Sequence, residues 1–514
     1  MSTNSFWHHA QTKPNQVSFV DADGTEYLAG DLLENVNRLV HGLREVGLEK
    51  GDALAVVLPN CVEMVECALA AGQVGWYITP VNHHLTSSEI SFIIEDSGAR
   101  ALVFHEAFLD VCQEAITLSD LSPQQVFIVG QDARYKTFAD LKEGCSTQMP
   151  QDRCGGYAMT YTSGTTGRPR GVRRPTMDID PDVLATNFAS FLQLFGVRPE
   201  GRHLTVSPLY HTAVLNFTLY ALHYGHGVVL MDKWTPEGML EKVQNYRVTT
   251  THIVPTQLIR LLTLPQDVRA AYDVSSFEQL IHSAAPCPVD VKHQILEWFG
   301  PVVYEYYAAS EGGGTLATPG DWLKKPGTVG KAWPISTIEV RDDEGNVLPA
   351  TEVGTVWMRM GQHAFEYHGD KEKTQKAWKD DFFTVGDAGY LDEDGFLFLC
   401  DRKADMMISG GVNIYPAEIE CELFSHPKVE DCAVFGIPDA DWGEQVKAVI
   451  QLKDGEIGSP EVEQEILSWC QTRMAKYKCP KSIDFSLQLP RDPNGKLYKR
   501  KLRDPYWEGL ERSI

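Results

Sequence analysis

Residues 161–171 read YTSGTTGRPRG, eleven positions that hold four Ser or Thr hydroxyls, three glycines and two arginines. Glycine lets the backbone approach a ligand closely, hydroxyls and N–H groups donate, and arginine adds charge; together they suit a polyphosphate. The same composition also describes a Ser/Thr/Gly linker between domains. It is not the P-loop pattern G-x-x-x-x-G-K-[ST], which counting from neither Gly164 nor Gly167 produces, so it gives no support to a P-loop kinase or ATPase.

The totals narrow the choice. A chain of 514 residues is too long for one core and is expected to divide into at least two domains. The apolar share of 43% and charged share of 23% are those of a globular protein. No run approaches the roughly 18 apolar residues of a membrane span. MSTNSFWHHAQTKPN has neither the basic start nor the apolar stretch of a signal peptide, and ERSI is no retention or peroxisomal tag, so a cytoplasmic location is expected. The 11 cysteines are scattered without C-x-x-C spacing, which argues against a disulfide framework or a zinc ribbon. A net charge of −24 argues against nucleic-acid partners. An anion site in such a chain has to be built locally, from backbone N–H groups and a few cations.

Along the chain, Leu32, Leu33, Val36, Leu39, Val40, Leu43 and Val46 recur at helical spacing before Gly47 and Gly51. Ala53–Leu58 reads as a buried strand, and the helical pattern resumes in CVEMVECALAAG. In LTSSEISFIIEDSGARALVF, Ser87 or Ser88 is expected to cap a helix ending near Gly98, with a strand after it. Strands alternating with helices predict an α/β fold with parallel-rich sheets. From about Gly327 the β-branched runs shorten between DDEGN and EVG turns, which predicts a small antiparallel, barrel-like β unit. After Asp401 the alternation returns for roughly a hundred residues, enough for one small α+β domain.

With YTSGTTGRPRG, further segments follow in order: SPLYHTA (207–213), SAAPCP (283–288), YYAASEGGG (306–314), FTVGDAGYLDEDGFLFLCDRKADMMISGGVNIYPAEIE (383–420) and PRDPNGKLYKR (490–500). Together they resemble the motifs of the adenylate-forming superfamily, which includes acyl-CoA synthetases, luciferases and peptide-synthetase adenylation domains. The resemblance spans nearly the whole chain and is closest in type to fatty-acid–CoA ligases. It implies an N-terminal adenylation domain over 1–400 with the antiparallel unit at about 327–400, a hinge at 401–406 and a mobile C-terminal lid over 407–514.

The resemblance also implies roles. Thr162, Ser163, Gly164, Thr165, Thr166, Gly167 and Arg170 would grip the ATP phosphates. Ala284, Ala285 and Pro286 would lie under the adenine, the backbone at Glu305 and Tyr306 would meet its edge, and Tyr307 would stack on it. Ser310 would meet the α-phosphate and Glu311 would hold Mg²⁺ through oxygen ligation. Asp387 would take the ribose hydroxyls and Arg402 ribose or phosphate oxygens. Lys496 would neutralise charge developing at the carboxylate and the α-phosphorus. A swing about Lys403–Ala404 would then bring Gly410 and Gly411 to the pantetheine arm of coenzyme A. His211, Ala213, Phe217, Gly312 and Gly313 would line the acyl pocket, where the glycines, Gly314 included, leave room for a bulky acid. The family pattern is broken where Arg170 replaces Lys, Ala308 replaces Gly, Ser310 replaces Thr and Asp401 replaces Gly.

The implied reaction is adenylation of a carboxylic acid by Mg-ATP, then thioester formation with coenzyme A. A medium- or long-chain fatty acid is the first expectation and an aryl or steroid-side-chain acid the second; an apolar pocket separates acids by only about 1–3 kcal/mol per methylene. No Asp or Lys is placed to bind an amino-acid substrate. No carrier-protein domain follows the lysine loop, which favours coenzyme A over an enzyme loading a separate carrier, with an oxidative luciferase more distant. A non-catalytic nucleotide-binding protein is the alternative of a different class, and a homodimer is left open.

Overall fold

Ala53–Val57 is buried at every position, as a strand covered on both faces requires. In the computed structural model the chain is described over residues 5–162, 170–175, 178–361, 365–402, 405–409, 412–439, 441–491 and 497–508. Among these residues Ala53–Val57 lies inside a six-stranded sheet, ordered Lys136–Thr137, Val126–Val129, Ala99–His105, Ala53–Val57, Tyr77–Pro80, Tyr157–Ala158, with every pairing parallel.

A second, nine-stranded sheet runs Lys331–Ala332, Gly312–Ala317, Val303–Ala309, Gln279–His282, Thr250–Ile253, Arg202–Thr205, Gly227–Leu230, Val17–Val20, Glu26–Leu28. Its inner pairings are parallel and both of its ends are closed by antiparallel strands. Helix Ala29–Glu45 buries Leu32, Leu33, Val36, Leu39, Val40 and Leu43, the face its spacing predicted. The helix Ser87–Asp96 is capped by Thr86, not by Ser87 or Ser88. The reason is local: the Glu89 carboxylate accepts the Thr86 N–H at 2.8 Å, which fixes the first turn one residue earlier.

The antiparallel unit centres on Gly354–Met360, flanked by Ser336–Arg341, Phe382–Phe383 and Asp387–Leu391. A smaller C-terminal domain follows. Its sheet pairs Val412–Ile414, Met407–Ser409, Gly443–Leu452 and Val429–Asp439, with Ser482–Phe485 parallel to Gly443–Leu452. All 11 cysteines are free thiols. Among the described residues, no helix is long and apolar enough to cross a membrane.

Two stability predictions follow from this packing. A Cβ at Gly42 would sit 1.9 Å from the Leu141 carbonyl oxygen. Helix propensity alone would make Gly42→Ala stabilising by about 1 kcal/mol; the clash reverses the sign, and a loss of about 1–3 kcal/mol is expected in urea unfolding. An unchanged or higher midpoint would mean the two segments are not in contact.

The second concerns histidines. His203, His223 and His252 are buried, and burial pushes each down to about 3, with His282 also well below its ordinary 6.5. Their folded pKa values are depressed, so the unfolded chain binds more protons below pH 6.5. Their contribution to stability is present above pH 6.5 and is lost as pH falls toward 3, at about 1.4 kcal/mol per pH unit for each fully titrating site. His252→Gln should flatten the fall in urea stability by about one proton. Equal slopes for variant and parent would show that His252 is not held neutral.

Candidate active site

Side chains of a strand alternate between faces, so neighbouring tyrosines on Val303–Ala309 must part company. Tyr306 packs among Phe191, Phe195 and Phe217, and its hydroxyl lies 3.1 Å from His252 Nε2. Tyr307 turns the other way, and its Oη donates to Asp387 Oδ2 at 2.7 Å. The placement of the Tyr306 ring leaves open the expectation that its backbone meets a base. Its ring belongs to the wall of an aromatic cavity, and only its backbone is left to face a base.

Glu305 shares the Tyr307 face by alternation, but its carboxylate is committed elsewhere. Lys292 Nζ lies 2.5 Å from Oε2, both side chains are buried, and His282 Nε2 is 3.6 Å away. Burial raises the Glu305 carboxyl above its ordinary range, and the lysine opposes that. Such a pair holds the strand beneath the site. Removing one partner would leave a buried charge uncompensated.

The hairpin Val303–Ala309/Gly312–Ala317 turns at Ser310 and Glu311. Gly312 and Gly313 adopt φ of 131° and 70°, conformations that favour glycine. At the tip, Tyr367 Oη donates to Glu311 Oε1 at 2.8 Å, and Arg174 Nη2 donates to the Ser310 carbonyl oxygen at 2.9 Å. A hard cation bound through one carboxylate and phosphate oxygens would find a suitable donor in Glu311. Among the described residues no group of three or more His, Cys, Asp or Glu side chains gathers into a metal cage.

The expectation that the glycines leave space for substrate is corrected at Gly314. A Cβ on Gly314 would meet the Tyr307 carbonyl oxygen at 2.4 Å and Trp333 Cζ2 at 2.7 Å. On Gly313 it would meet Met358 Cβ at 3.1 Å, and on Gly312 Met360 Cε at 3.5 Å. The missing side chain at Gly314 makes room for Trp333, and that at Gly313 lets Met358 come close. Gly312 and Gly313 still form part of the cavity wall.

That cavity has a volume of about 3000 Å³. His211 precedes helix Thr212–His223, and Ala213 and Phe217, one turn apart on it, line the cavity with His211. So do Ala284 and Ser310, and so do Gln488 and Tyr498 of the C-terminal domain. Ala284 carries φ of 76°, a strained conformation for alanine, next to Ser283 whose Oγ lies 2.9 Å from His252 Nε2. Ala285, Pro286, Tyr307, Glu311 and Asp387 are described but are not part of this wall.

Antiparallel register brings the Cα atoms of Thr162 and Arg170 opposite one another, so the two ends of the phosphate-loop motif stand side by side. Register likewise pairs Asp387 with Arg402. The side chains of Thr162, Arg170 and Arg402 lie outside the described residues, as do Ser163, Gly164, Thr165, Thr166, Gly167, Lys403, Ala404, Gly410, Gly411 and Lys496. Asp401 has a clear use: Oδ2 accepts the Ala417 N–H at 2.8 Å and lies 3.8 Å from Lys499 Nζ, which also pairs with Glu420 at 2.9 Å.

Sequence reasoning missed His252, Arg174, Tyr367 and Trp333. His252 and Tyr367 lie in none of the quoted motifs, and Arg174 falls three residues past the phosphate-loop stretch. Only tertiary pairing reveals them.

Residues 6–368 match the AMP-binding enzyme family, and residues 418–496 match the AMP-binding enzyme C-terminal domain. A long-chain-fatty-acid–CoA ligase of Mycobacterium tuberculosis is 32% identical over 475 residues, covering 91% of each chain. A feruloyl-CoA synthase of an Amycolatopsis species is 33% identical over 485 residues, 93% of this chain and 94% of the relative. Among solved structures, o-succinylbenzoate CoA synthetase from Bacillus subtilis, in complex with its acyl-adenylate intermediate, superposes with a TM-score of 0.82 at 27% identity, over 98% of both chains. By sequence match over most of its length, the chain belongs to the AMP-binding enzyme family.

Proposed function

We propose that the protein is an AMP-forming acid–coenzyme A ligase that adenylates a bulky apolar carboxylic acid with ATP and passes the acyl group to coenzyme A. The observation that carries this reading is the meeting of an aromatic cavity with the hairpin tip at Ser310 and Glu311. At about 3000 Å³ the cavity exceeds the roughly 300–1,000 Å³ typical of one small ligand, which suits a site serving several co-substrates.

The first half-reaction joins two anions, so the protein's task is to align them and mask charge. Thr162, Ser163, Thr165, Thr166 and Arg170 hold the β- and γ-phosphates. Ser310 meets the α-phosphate, and Asp387, with Arg402 opposite it in register, receives the ribose. Glu311 would hold Mg²⁺, which supplies charge neutralisation at the phosphates when bound. Lys496 neutralises the charge growing between carboxylate and α-phosphorus. The carboxylate oxygen attacks the α-phosphorus and pyrophosphate leaves; the thiolate of coenzyme A then displaces AMP from the mixed anhydride. The second step follows a swing of the C-terminal domain about Lys403–Ala404, with Gly410 and Gly411 beside the pantetheine arm.

The acid is the finer question. A fatty acid was the first expectation from sequence, but the wall shifts the preference toward a ring-bearing acid. Phe188 stacks on Tyr220 with centroids 5.6 Å apart, and Phe191 meets Trp333 edge-on at 5.0 Å. All four side chains line the cavity. Aromatic pairs of this geometry add about 0.5–1.5 kcal/mol beyond area burial, and an aryl substrate can join them where an alkyl chain cannot.

Product analysis with Mg-ATP and a panel of fatty and aryl acids, with and without coenzyme A, checks the reaction. AMP and pyrophosphate formed only with certain acids, and an acyl-CoA formed only with the thiol present, is the expected outcome. ADP as product, or nucleotide turnover indifferent to acid, would refute it; AMP without acyl-CoA would point to a carrier protein as acceptor. Lys496→Ala should slow adenylation by about 10²-fold or more while largely sparing thioester formation from supplied acyl-adenylate. Equal loss in both steps would remove the proposed division between two conformations.

A further inference from the structure

Arg173 and Arg174 are neighbours with opposite fates. The Arg173 guanidinium lies over the Tyr77 ring, 4.5 Å from its centroid. The backbone beyond it is pinned because Tyr77 Oη donates to the Arg174 carbonyl oxygen at 2.6 Å. Arg174 instead sends its side chain to the cavity wall, where Nη2 reaches the Ser310 carbonyl oxygen at 2.9 Å. A guanidinium has five N–H donors in a planar fork. Among the described residues this bond is the one side-chain hydrogen bond Arg174 makes, and no carboxylate pairs with it.

The surroundings make that a demanding position. Phe188, Tyr220 and Tyr157 line the same cavity, and the Tyr157 hydroxyl is itself buried without a partner. Burial raises the Tyr157 and Tyr220 phenols, and the charge of Arg174 acts against that rise in both, which places the cation near the pair. A partly buried cation without a counter-charge, beside apolar rings, is costly unless an anion arrives. The planar fork matches a carboxylate through two parallel hydrogen bonds.

We propose that Arg174 receives the carboxylate of the acid substrate, holding it at the hairpin tip beside Ser310 while the tail of the acid occupies the aromatic part of the cavity. This rests on the ligase reading above, which puts the α-phosphate at Ser310. The acid is thereby bound by its charged head near the phosphorus it attacks. Arg174 is a substrate-contacting residue that sets affinity for the acid; the phosphates keep their own donors in the 161–171 motif.

The test compares full-length parent, Arg174→Gln and Arg174→Lys in steady-state AMP formation, using the best acid among benzoate, cinnamate, decanoate and palmitate. KM is measured separately for acid and for ATP, and the carboxamide of the chosen acid serves as a competitive probe. For Arg174→Gln the KM for acid should rise about 10- to 100-fold, the range expected for hydrogen bonds to a charged group, with KM for ATP changed less than about threefold. Arg174→Lys, which keeps the charge and loses the fork, should fall between. Carboxamide inhibition should be nearly unchanged, because that probe brings no charge.

A KM for ATP that rises while that for acid stays put would give Arg174 to a phosphate and overturn the proposal. Parallel loss for acid, carboxamide and ATP would reduce it to a support for the hairpin, and no change in either KM would also refute it. Should Arg174→Gln fail to fold, the same split between acid and ATP must appear in Arg174→Lys or the proposal falls. If the parent itself makes no AMP with any acid, the ligase reading fails first, a result distinct from a failure at Arg174.

Discussion

The site depends on one constraint, the two-residue period of a strand at the end of a parallel sheet. Because Val303–Ala309 must alternate, the Tyr306 and Tyr307 side chains point to opposite faces. One ring closes the aromatic cavity with His252 behind its hydroxyl, and the other reaches Asp387 on the opposite face. The strand is thus a partition between an apolar compartment and a polar one, and its turn carries Ser310 and Glu311 where the compartments meet. The buried Lys292–Glu305 pair keeps the partition in place from behind. A slip of one residue would exchange the two tyrosines and leave Glu305 in the aromatic cluster, so register here is held by charge as well as by packing.

A chain with a net charge of −24 repels the anions it is proposed to bind, and the structure shows how that is managed. Many of its cations are spent on its own carboxylates, as with Arg153 on Asp182, Arg491 on Asp431 and Lys499 on Glu420. A cation left without a carboxylate at a cavity wall is then more telling than one on a basic surface. Local cations act at short range in a partly desolvated site, where screening is weak, while the distant negative surface is attenuated within about 10 Å by salt.

Much of the architecture was legible in the sequence because it rests on local periodicity. Ala53–Val57, the apolar face of Ala29–Glu45 and the antiparallel texture after Gly327 all follow from spacing and turn residues. The cap at Thr86 was missed by one residue, because three hydroxyl residues in a row present the same local signal until Glu89 chooses among them. Gly314 was misjudged for a deeper reason. A sequence shows that Gly314 lacks a side chain but not what fills the space, and here Trp333 does. His252, Tyr367 and Arg174 owe their places to contacts 31, 56 and 136 residues away in the chain, which no local pattern encodes.

Asp401 shows what such a departure from a family pattern can do. It is the penultimate residue of the strand Leu397–Arg402 of the antiparallel unit, yet its carboxylate accepts the N–H of Ala417 at the start of helix Pro416–Phe424 and faces Lys499. One side chain therefore spans both domains. A glycine there could do neither, and a carboxylate at a helix N-terminus is favourable by about 0.3–1 kcal/mol when exposed and more when partly buried. Burial pulls the Lys499 ammonium down, but Glu420, Asp401 and Asp405 outweigh it and leave its pKa raised, so the lysine is charged in this arrangement. A rotation about Lys403–Ala404 would part Asp401 from Ala417 and Lys499, while Glu420, on the same domain as Lys499, would travel with it. The proposed swing then exchanges a shared ion cluster for a smaller one instead of exposing a bare charge. On the reading that the domain swings, the contacts of Asp401 to Ala417 and Lys499 would favour the present arrangement.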